Sequence, residues 1–278
     1  MTESPHEVWP PAASGRWPIE GLRGALRPLL PEIVVQCVGR IDSSNAELMR
    51  RARSGDPRPT LLVAETQTAG RGRQGRRWHD NGPLDGQDLP ATLMFSLSRP
   101  IEPVDWSGLS LAVGVALAEA LHPGIRLKWP NDLWWEERKL AGILVETAHV
   151  HGRRHVVVGV GINIREPLGG DFSTPPAWVD ECLPGADAAG VLMRVAAPMA
   201  GALAMFEARG FAAFAAGFAA RDGLRGRAIV LSDGASGTAA GVDDVGGLLV
   251  HTSSGMKTVI SQEVSVRPGA SGAATDRG

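Results

Sequence analysis

The stretch TLLVAETQTAGRGRQGRRW, residues 60–78, joins an apolar run directly to a loop that is rich in arginine and glycine. The run TLLVAETQ predicts a β-strand, and the loop after it carries four arginines with no acid between Glu65 and Asp80. Glycine lets a backbone approach a ligand closely, and arginine supplies paired N–H donors that suit a phosphate or a carboxylate. The segment therefore predicts a strand that leads into an anion-binding loop.

Two common phosphate-binding patterns do not account for this loop. The pattern GxxxxGK followed by Ser or Thr is missing, which excludes a P-loop. The letters GRGRQG do fit GxGxxG, but the helix that a dinucleotide-binding fold requires is not recognisable, nor is its acidic residue about 20 positions on. From the loop alone, a solvated basic loop or a nonspecific nucleic-acid contact therefore remains open.

The composition narrows the class of protein. The chain has 278 residues, 44% of them hydrophobic, and a formal net charge of -2, so its overall charge suggests no nucleic-acid or membrane partner. No run reaches the roughly 18 uninterrupted apolar residues of a membrane span, and the first residues lack the apolar core of an export signal. Two distant cysteines support neither a disulfide framework nor a zinc site. We therefore expect a soluble cytoplasmic protein.

Apolar runs bounded by turn residues predict most of the strands. They are IVVQCV (33–38), TLLVAETQ (60–67), TLMFSLS (92–98), IRLKW (125–129) and VVVGVGINI (156–164). LWWEERKLAGILVETA (133–148) predicts two further strand arms around Glu136, Glu137 and Arg138. From about Leu224, short apolar runs alternate with Gly, Asp and Ser turns, which is typical of a small β-barrel or β-sandwich.

Helices are predicted at SSNAELMRRARSG (43–55), at WSGLSLAVGVALAEAL (106–121) and as a pair within residues 188–220. In the first of them, Ser44 is the expected N-cap, Glu47 completes a capping box and Gly55 ends the helix. The whole chain then divides into four predicted parts. They are a poorly ordered lead-in (1–30), a main domain (31–221), a small β-barrel (222–268) and a disordered tail (269–278).

Three more motifs contain residues suited to chemistry, and each also has a structural interpretation. KWPNDL (128–133) places a lysine, an amide and a carboxylate around a fixed proline, but it also suits a plain turn. Lys139 enters a strand that otherwise reads as core, which is costly unless the lysine meets an anion; it could instead be a strand-edge residue. GVGIN (159–163) lets a ligand pack on a strand or marks a simple bulge.

Taken in order, GRGRQG, KWPNDL, KLAGILVE and GVGIN resemble the motifs of the biotin protein ligases. The resemblance is strong over roughly residues 35–163 and weaker at the C-terminus. It implies an α+β fold, with a mixed-sheet catalytic domain of the biotin/lipoate ligase type, similar to class II synthetases, and a small SH3-like β-barrel. It also implies ATP-dependent formation of biotinyl-5'-AMP with release of pyrophosphate, Mg2+ as a cofactor, and transfer of biotin to a lysine of a carrier domain.

The resemblance assigns roles to individual residues. Lys139, Asp132 and Arg73 are implied to be catalytic. The residues implied to bind biotin are Ser43, Ser44, Asn45, Gln67, Arg71, Gly72, Arg73 and Lys139. The residues implied to bind the nucleotide are Gly70, Arg71, Gly72, Arg73, Trp78, Asn131, Lys139 and Asn163. No residue is assigned to a metal.

The expected partner is a biotin carboxyl carrier domain of acetyl-CoA carboxylase or a related carboxylase, and the expected state is a monomer or a weak homodimer. Some members of the family carry a DNA-binding helix-turn-helix, but the proline-broken residues before the first strand are too few for one, so no nucleic-acid binding is expected. A lipoate–protein ligase and a nucleic-acid-binding module are the alternatives. Two departures from the family pattern are a longer segment at 79–92 and Gln262 where glycine is common.

Overall fold

The larger part of the protein is built on a mixed seven-stranded sheet. The computed structural model describes residues 15–56, 58–78, 90–150, 152–167, 172, 174–260 and 266–268. The strands of this sheet are β1 (Val34–Ile41), β2 (Thr60–Gln67), β3 (Thr92–Pro100), β4 (Arg126–Lys128), β5 (Asp132–Trp135), β6 (Arg138–Val150) and β7 (Arg153–Asn163). Their order is β1-β2-β3-β7-β6-β5-β4, with β1 and β2 parallel and the other pairs antiparallel.

Helices cover both faces of the sheet. They are α1 (Ile19–Leu26), α2 (Ser44–Arg53), α3 (Leu109–Leu121), α4 (Val179–Cys182), α5 (Ala188–Arg209) and α6 (Ala215–Arg221). Leu48 and Met49 of α2 pack with Leu62 on one face, whereas α1, α3 and α5 join the larger core on the other. Of the described helices, α5 alone is long and apolar enough to cross a membrane, but half of its apolar window is buried within the protein, where it packs against α1 and α3.

The predicted strands and helices are confirmed, with two corrections. The N-cap of α2 is Ser43 rather than Ser44, because Ser43 has the extended backbone of a cap and its side chain accepts from the N–H of Ala46. Glu47 therefore completes no capping box and instead pairs with Arg50 and Arg51. Gly55 does follow the helix, with φ 90°.

The second correction concerns the lead-in. Residues 1–30 were expected to be poorly ordered, but residues 19–26 form α1, in which Leu22 and Leu26 are fully buried. Their i, i+4 spacing puts both leucines on one face of the helix, and that face packs against β1 and α5. The predicted tail at 269–278, most of the segment 79–92 and Gln262 lie outside the described residues.

A second, smaller sheet follows α6. Its strands are β8 (Ala228–Leu231), β9 (Ser236–Val242), β10 (Leu248–Thr252), β11 (Gly255–Val259) and β12 (Val266–Pro268), antiparallel in the order β11-β10-β9-β8-β12. The fold class expected from the sequence is thus confirmed: a mixed sheet with helices, followed by a small all-β unit. The boundaries proposed for the domains stay predictions.

Candidate active site

A cavity of about 650 Å3 lies among β2, β3, β6, β7, the N-terminus of α2 and the loop after β2. It gathers nearly all of the residues that the resemblance singled out. Those that line it are Ser43, Ser44, Asn45, Gln67, Arg71, Gly72, Arg73, Trp78, Asn131, Asp132, Lys139 and Asn163. Gly70 does not line it but closes the base of the loop, where its carbonyl accepts from the N–H of Trp78 at 3.0 Å. The roles assigned to these residues stay predictions.

The loop after β2 folds back on itself across the cavity. The N–H of Gly72 donates to the carbonyl of Arg76 at 2.7 Å, and the turn between them passes through Gln74 and Gly75 at φ 55° and 72°. Glycine adopts such left-handed angles freely, whereas Gln74 does so at a cost of about 1–2 kcal/mol. The tight turn therefore carries local strain at the tip of the loop.

Arg73 reaches from this loop to the KWPNDL motif. Its guanidinium donates to Asn131 Oδ1 at 3.5 Å. Burial lowers the pKa of Arg73, the charge of Asp132 opposes that shift, and the charge of Arg76 adds to it. The loop and the motif, which lie far apart in the sequence, thus form one electrostatic unit.

Two lysines hold one buried carboxylate in the cavity. Asp132 Oδ1 lies 2.8 Å from Lys139 Nζ, and Asp132 Oδ2 lies 3.6 Å from Lys128 Nζ. Burial lowers the pKa of Lys128, with Asp132 acting against that shift and Lys139 adding to it. Of the described charged side chains that line the cavity, six are cations and one, Asp132, is an anion. The cavity therefore favours an anionic ligand.

The donor set does not suit a metal held by the protein. No group of three or more His, Cys, Asp or Glu side chains that could hold a metal ion occurs among the described residues. The one carboxylate lining the described cavity, Asp132, already faces Lys139 and Lys128. Mg2+ is typically bound through one or two carboxylates together with substrate phosphates. Mg2+ therefore fits here only as an ion that a nucleotide brings on its own phosphates.

The side chain of Trp78 lies on a floor made by two glycines. A Cβ built on Gly161 would lie 2.3 Å from Cε2 of the indole, and one on Gly142 would lie 3.0 Å from Cζ3. Lys139 Nζ lies 5.5 Å from the centre of the ring, within cation–π range. The indole Nε1 is buried and has no hydrogen-bond partner among the described residues. Such a donor costs about 1–3 kcal/mol, which a ligand acceptor would relieve.

The two asparagines of the motifs have structural partners. Asn131 Nδ2 donates to the carbonyl of Ile143 at 2.8 Å, and Asn163 Nδ2 donates to the carbonyl of Ala177 at 2.9 Å. The peptide bond between Trp129 and Pro130 is cis. The interpretation of KWPNDL as a structural turn and its interpretation as part of a site therefore apply together.

Sequence reasoning singled out neither Ser96 nor Glu146, and it noted Lys128 within KWPNDL without assigning it a role. Ser96 on β3 and Lys128 line the cavity, and Glu146 on β6 pairs with Arg71 at 3.5 Å and accepts from Asn45 Nδ2 at 2.8 Å. The available signals were weak. Ser96 is a polar residue inside an apolar strand, and Glu146 is an acid at the end of the apolar run AGILV.

A mixed sheet with a cationic cavity under an arginine–glycine loop is the arrangement that the resemblance to the biotin and lipoate ligases led us to expect. In agreement, the family model described as the biotin/lipoate A/B protein ligase family matches residues 38–163. The model described as the biotin protein ligase C terminal domain matches residues 226–267. The chain belongs to the biotin protein ligase family.

Individual relatives support the same assignment. The bifunctional ligase/repressor BirA of Escherichia coli is 32% identical over 240 residues, covering 82% of this chain and 72% of the relative. The biotin–acetyl-CoA-carboxylase ligase of Paracoccus denitrificans is 32% identical over 243 residues, covering 82% of this chain and 98% of the relative. The solved biotin protein ligase of Aquifex aeolicus in complex with biotin and ATP superposes with a TM-score of 0.68 at 27% identity, covering 84% of this chain and 99% of that one.

Proposed function

We propose that the protein is an ATP-dependent biotin protein ligase. It activates the carboxylate of biotin as biotinyl-5'-AMP, releases pyrophosphate, and transfers the biotinyl group to a lysine of a biotin carboxyl carrier domain. The observation that carries this proposal is the cavity itself, where the described lining residues include six cations and one anion beneath a loop of arginine and glycine. The two substrates of the first step, a carboxylate and a triphosphate, are both anions.

In the first step, a carboxylate oxygen of biotin attacks the α-phosphorus of ATP, and the bond to the β-phosphate oxygen breaks. Negative charge grows on the transferred phosphoryl group and on the departing pyrophosphate. In this proposal Lys139 Nζ, with three N–H donors, and the guanidinium of Arg73 stabilise that charge, and both residues line the cavity. Asp132 orients Lys139 through the 2.8 Å ion pair.

In the second step, the amine of the acceptor lysine attacks the acyl carbon of the adenylate, and AMP leaves. A lysine amine has an ordinary pKa of about 10.4, so at neutral pH it must lose a proton before it can attack. Asp132 is the carboxylate of the cavity that can orient the amine or take this proton.

An acyl adenylate reacts readily with water, so the enzyme must keep the intermediate covered between the two steps. The loop after β2 can do so because its glycines permit movement and its arginines bind the phosphate. Mg2+ would arrive on the phosphates of ATP, where it would neutralise part of their charge; no side chain of the cavity is assigned to it.

A lipoate ligase is the competing enzyme, since it forms the same kind of acyl adenylate. The Paracoccus denitrificans relative and the solved Aquifex aeolicus protein described above are named as biotin ligases, which favours biotin. A carrier domain as partner and a cytoplasmic location both agree with this activity and stay predictions.

The test is to incubate the protein with ATP, Mg2+ and either biotin or lipoate, together with a biotin carboxyl carrier domain. Mass spectrometry of the carrier should show one added biotinyl group with biotin and none with lipoate. A carrier variant with arginine at the acceptor lysine is the control and should remain unmodified. Modification by lipoate alone would contradict the proposal.

A further inference from the structure

A chain of short hydrogen bonds runs along one wall of the cavity, from the N-terminus of α2 to β6. Ser44 Oγ lies 2.8 Å from Ser96 Oγ. Ser96 Oγ lies 2.8 Å from Asn45 Oδ1, and Asn45 Nδ2 lies 2.8 Å from Glu146 Oε2. Ser44, Asn45 and Ser96 are buried, with 3%, 3% and 0% of their surface exposed. The function proposed above gives Ser96 and Glu146 no task.

The carboxylate at the end of this chain decides which atom donates at each step. An ionised carboxylate can only accept, so Asn45 must turn its Nδ2 towards Glu146 and its Oδ1 towards Ser96. An amide oxygen can also only accept, so Ser96 gives its single hydroxyl proton to Asn45. Ser96 Oγ can then only accept from Ser44.

The hydroxyl proton of Ser44 is therefore donated to another group of the protein. Its hydroxyl has two acceptors in reach, Ser96 Oγ at 2.8 Å and Gln67 Oε1 at 3.3 Å. Neither of these oxygens has a proton to give in return, so the Ser44 hydroxyl donates to one of them. Because Ser44 lines the cavity, its oxygen meets a ligand there as an acceptor.

The backbone of β7 is shaped around the same chain. A Cβ built on Gly159 would lie 2.4 Å from Asn45 Oδ1 and 3.3 Å from Ser96 Oγ. A side chain at this position would collide with the asparagine amide at the centre of the chain. The first glycine of the GVGIN motif therefore leaves the space in which Asn45 is held.

We propose that Glu146 is a positioning residue that fixes the direction of hydrogen-bond donation through Asn45 and Ser96, and so makes Ser44 an obligate acceptor for an N–H group of the ligand. The inference rests on the proposed function for the identity of that ligand. The ureido ring of biotin has two N–H donors, whereas the dithiolane ring of lipoate has none. The chain of hydrogen bonds thus gives this site a chemical reason to select biotin.

The first test measures biotin affinity by calorimetry in Glu146→Gln, Ser96→Ala and the double variant. Glutamine has the size of glutamate but carries an NH2 group that can donate, so the direction is no longer fixed. Each single variant should raise the Kd for biotin about tenfold, which is about 1.4 kcal/mol. The double variant should do little more, because both changes break one chain.

Glu102→Gln is the matched control. Glu102 accepts a hydrogen bond from the backbone N–H of Arg154 at 2.7 Å and forms an ion pair with the Arg154 guanidinium at 3.7 Å. Glu146 likewise accepts one N–H, from Asn45, and pairs with one arginine, Arg71. Glu102, however, does not line the cavity. Its biotin affinity should equal that of the wild type. Thermal unfolding of every variant shows whether the fold is retained.

The second test separates the direction of donation from simple support. It uses the two cyclic carbamates in which oxygen replaces one or the other ureido nitrogen of biotin. The wild type should bind one of them at least tenfold more weakly than biotin, because the ring oxygen of that analogue and the Ser44 oxygen are both acceptors. In Ser96→Ala and Glu146→Gln this preference should shrink to about threefold. Ser96 then no longer has to accept the Ser44 proton, and only the longer contact to Gln67 Oε1 at 3.3 Å competes for it, so the hydroxyl can turn and donate to the ligand.

The outcomes are distinct. An unchanged preference for biotin in both variants, or an unchanged Kd in Glu146→Gln, would overturn the inference while leaving the ligase activity in place. A wild type that binds no biotin would overturn the proposed function and the inference with it.

Discussion

Lys139 enters β6 at the edge of the cavity, and its ammonium faces the carboxylate of Asp132 at 2.8 Å. In Lys139→Ala, loss of one charged donor to the transferred phosphoryl group should cost about 2.7–4 kcal/mol in the barrier to adenylation. Biotin-dependent exchange of pyrophosphate into ATP should then fall about 100- to 1000-fold.

Lys257→Ala is the control for this change. Lys257 also pairs with a carboxylate, Asp233, at 2.8 Å, but it lies on the small sheet and not at the cavity. Its exchange rate should match that of the wild type. An unchanged rate in Lys139→Ala would return Lys139 to the interpretation as a strand-edge residue.

In the proposed mechanism Asp132 acts in both half-reactions, because it orients Lys139 and is the carboxylate among the described cavity residues that the incoming amine can meet. Asp132→Asn keeps the size of the side chain but removes its charge and basicity. We expect adenylation to slow moderately and transfer from preformed biotinyl-AMP to slow more. The transfer deficit should shrink as pH rises towards about 10.4, where the acceptor amine loses its proton unaided. Single-turnover assays separate the two steps, and intact transfer with failed adenylation would contradict the assignment.

Cys37 on β1 makes stability depend on alkaline pH. Burial, assisted by the charge of Glu65, raises the pKa of its thiol from 9.0 to about 12. Between these values the unfolded chain loses a proton that the folded protein keeps, so the free energy of unfolding falls as pH rises. At pH 10.5 this loss should reach about 2 kcal/mol relative to pH 8.

The measurement is urea unfolding of the wild type and Cys37→Ala at both pH values. The chain has no tyrosine and only three lysines, so few other groups titrate in this range. The stability advantage of the wild type over Cys37→Ala should shrink by about 2 kcal/mol between pH 8 and pH 10.5. A constant difference would show that the thiol does not carry the effect.

Among the elements, the loop after β2 is held in position by the paired strands β6 and β7, on which its Trp78 side chain packs. A methyl group on Gly161 would lie 2.3 Å from the Trp78 indole, so Gly161→Ala must push that side chain away. We expect release of biotinyl-AMP into solution to rise about tenfold, as for a lost contact of about 1.4 kcal/mol. Gly201→Ala on α5 is the control, because a Cβ there meets nothing within 4 Å. Retention of the adenylate in Gly161→Ala would contradict the inference that packing of Trp78 on Gly161 holds the loop in position.

How well the sequence predicts these elements depends on how far apart along the chain the residues that determine each element lie. The strands and helices were predicted from local periodicity, and the cap of α2 was misplaced by one residue because two adjacent serines suit the same role. Helix α1 was missed since its short apolar face becomes informative only when α5 is packed against it. The pairing of Ser96 with Asn45 joins positions 51 residues apart, and no local pattern reports such a contact.

At the scale of the whole molecule, the small sheet packs against the back of the KWPNDL turn. Trp129 is fully buried, and its Nε1 donates to the carbonyl of Gly246 between β9 and β10 at 3.0 Å. Nearby, Arg227 pairs with Glu137 on the hairpin that joins β5 to β6. The side chains of Asn131 and Asp132 in this turn thus project from a backbone that the C-terminal unit supports.

We therefore expect Trp129→Phe to affect catalysis as well as stability. The change keeps an aromatic ring but removes the N–H, leaving the carbonyl of Gly246 without this partner, which should lower the free energy of unfolding by about 1–3 kcal/mol. If the contact also holds the turn in place, adenylation and transfer should both slow while the Kd for biotin stays unchanged, because the residues assigned to biotin belong mainly to α2, β2 and the loop after it.

Trp135→Phe provides the comparison for this last prediction. Trp135 lies on the same hairpin and stacks edge-on with His122 at 5.0 Å, but it does not line the cavity. Its variant should keep both half-reactions at the rate of the wild type. If Trp129→Phe lost stability yet retained both rates at a temperature where it is fully folded, the contact with Gly246 would only join the two units. If both rates fell instead, the C-terminal unit would act in catalysis through the position of Asn131 and Asp132.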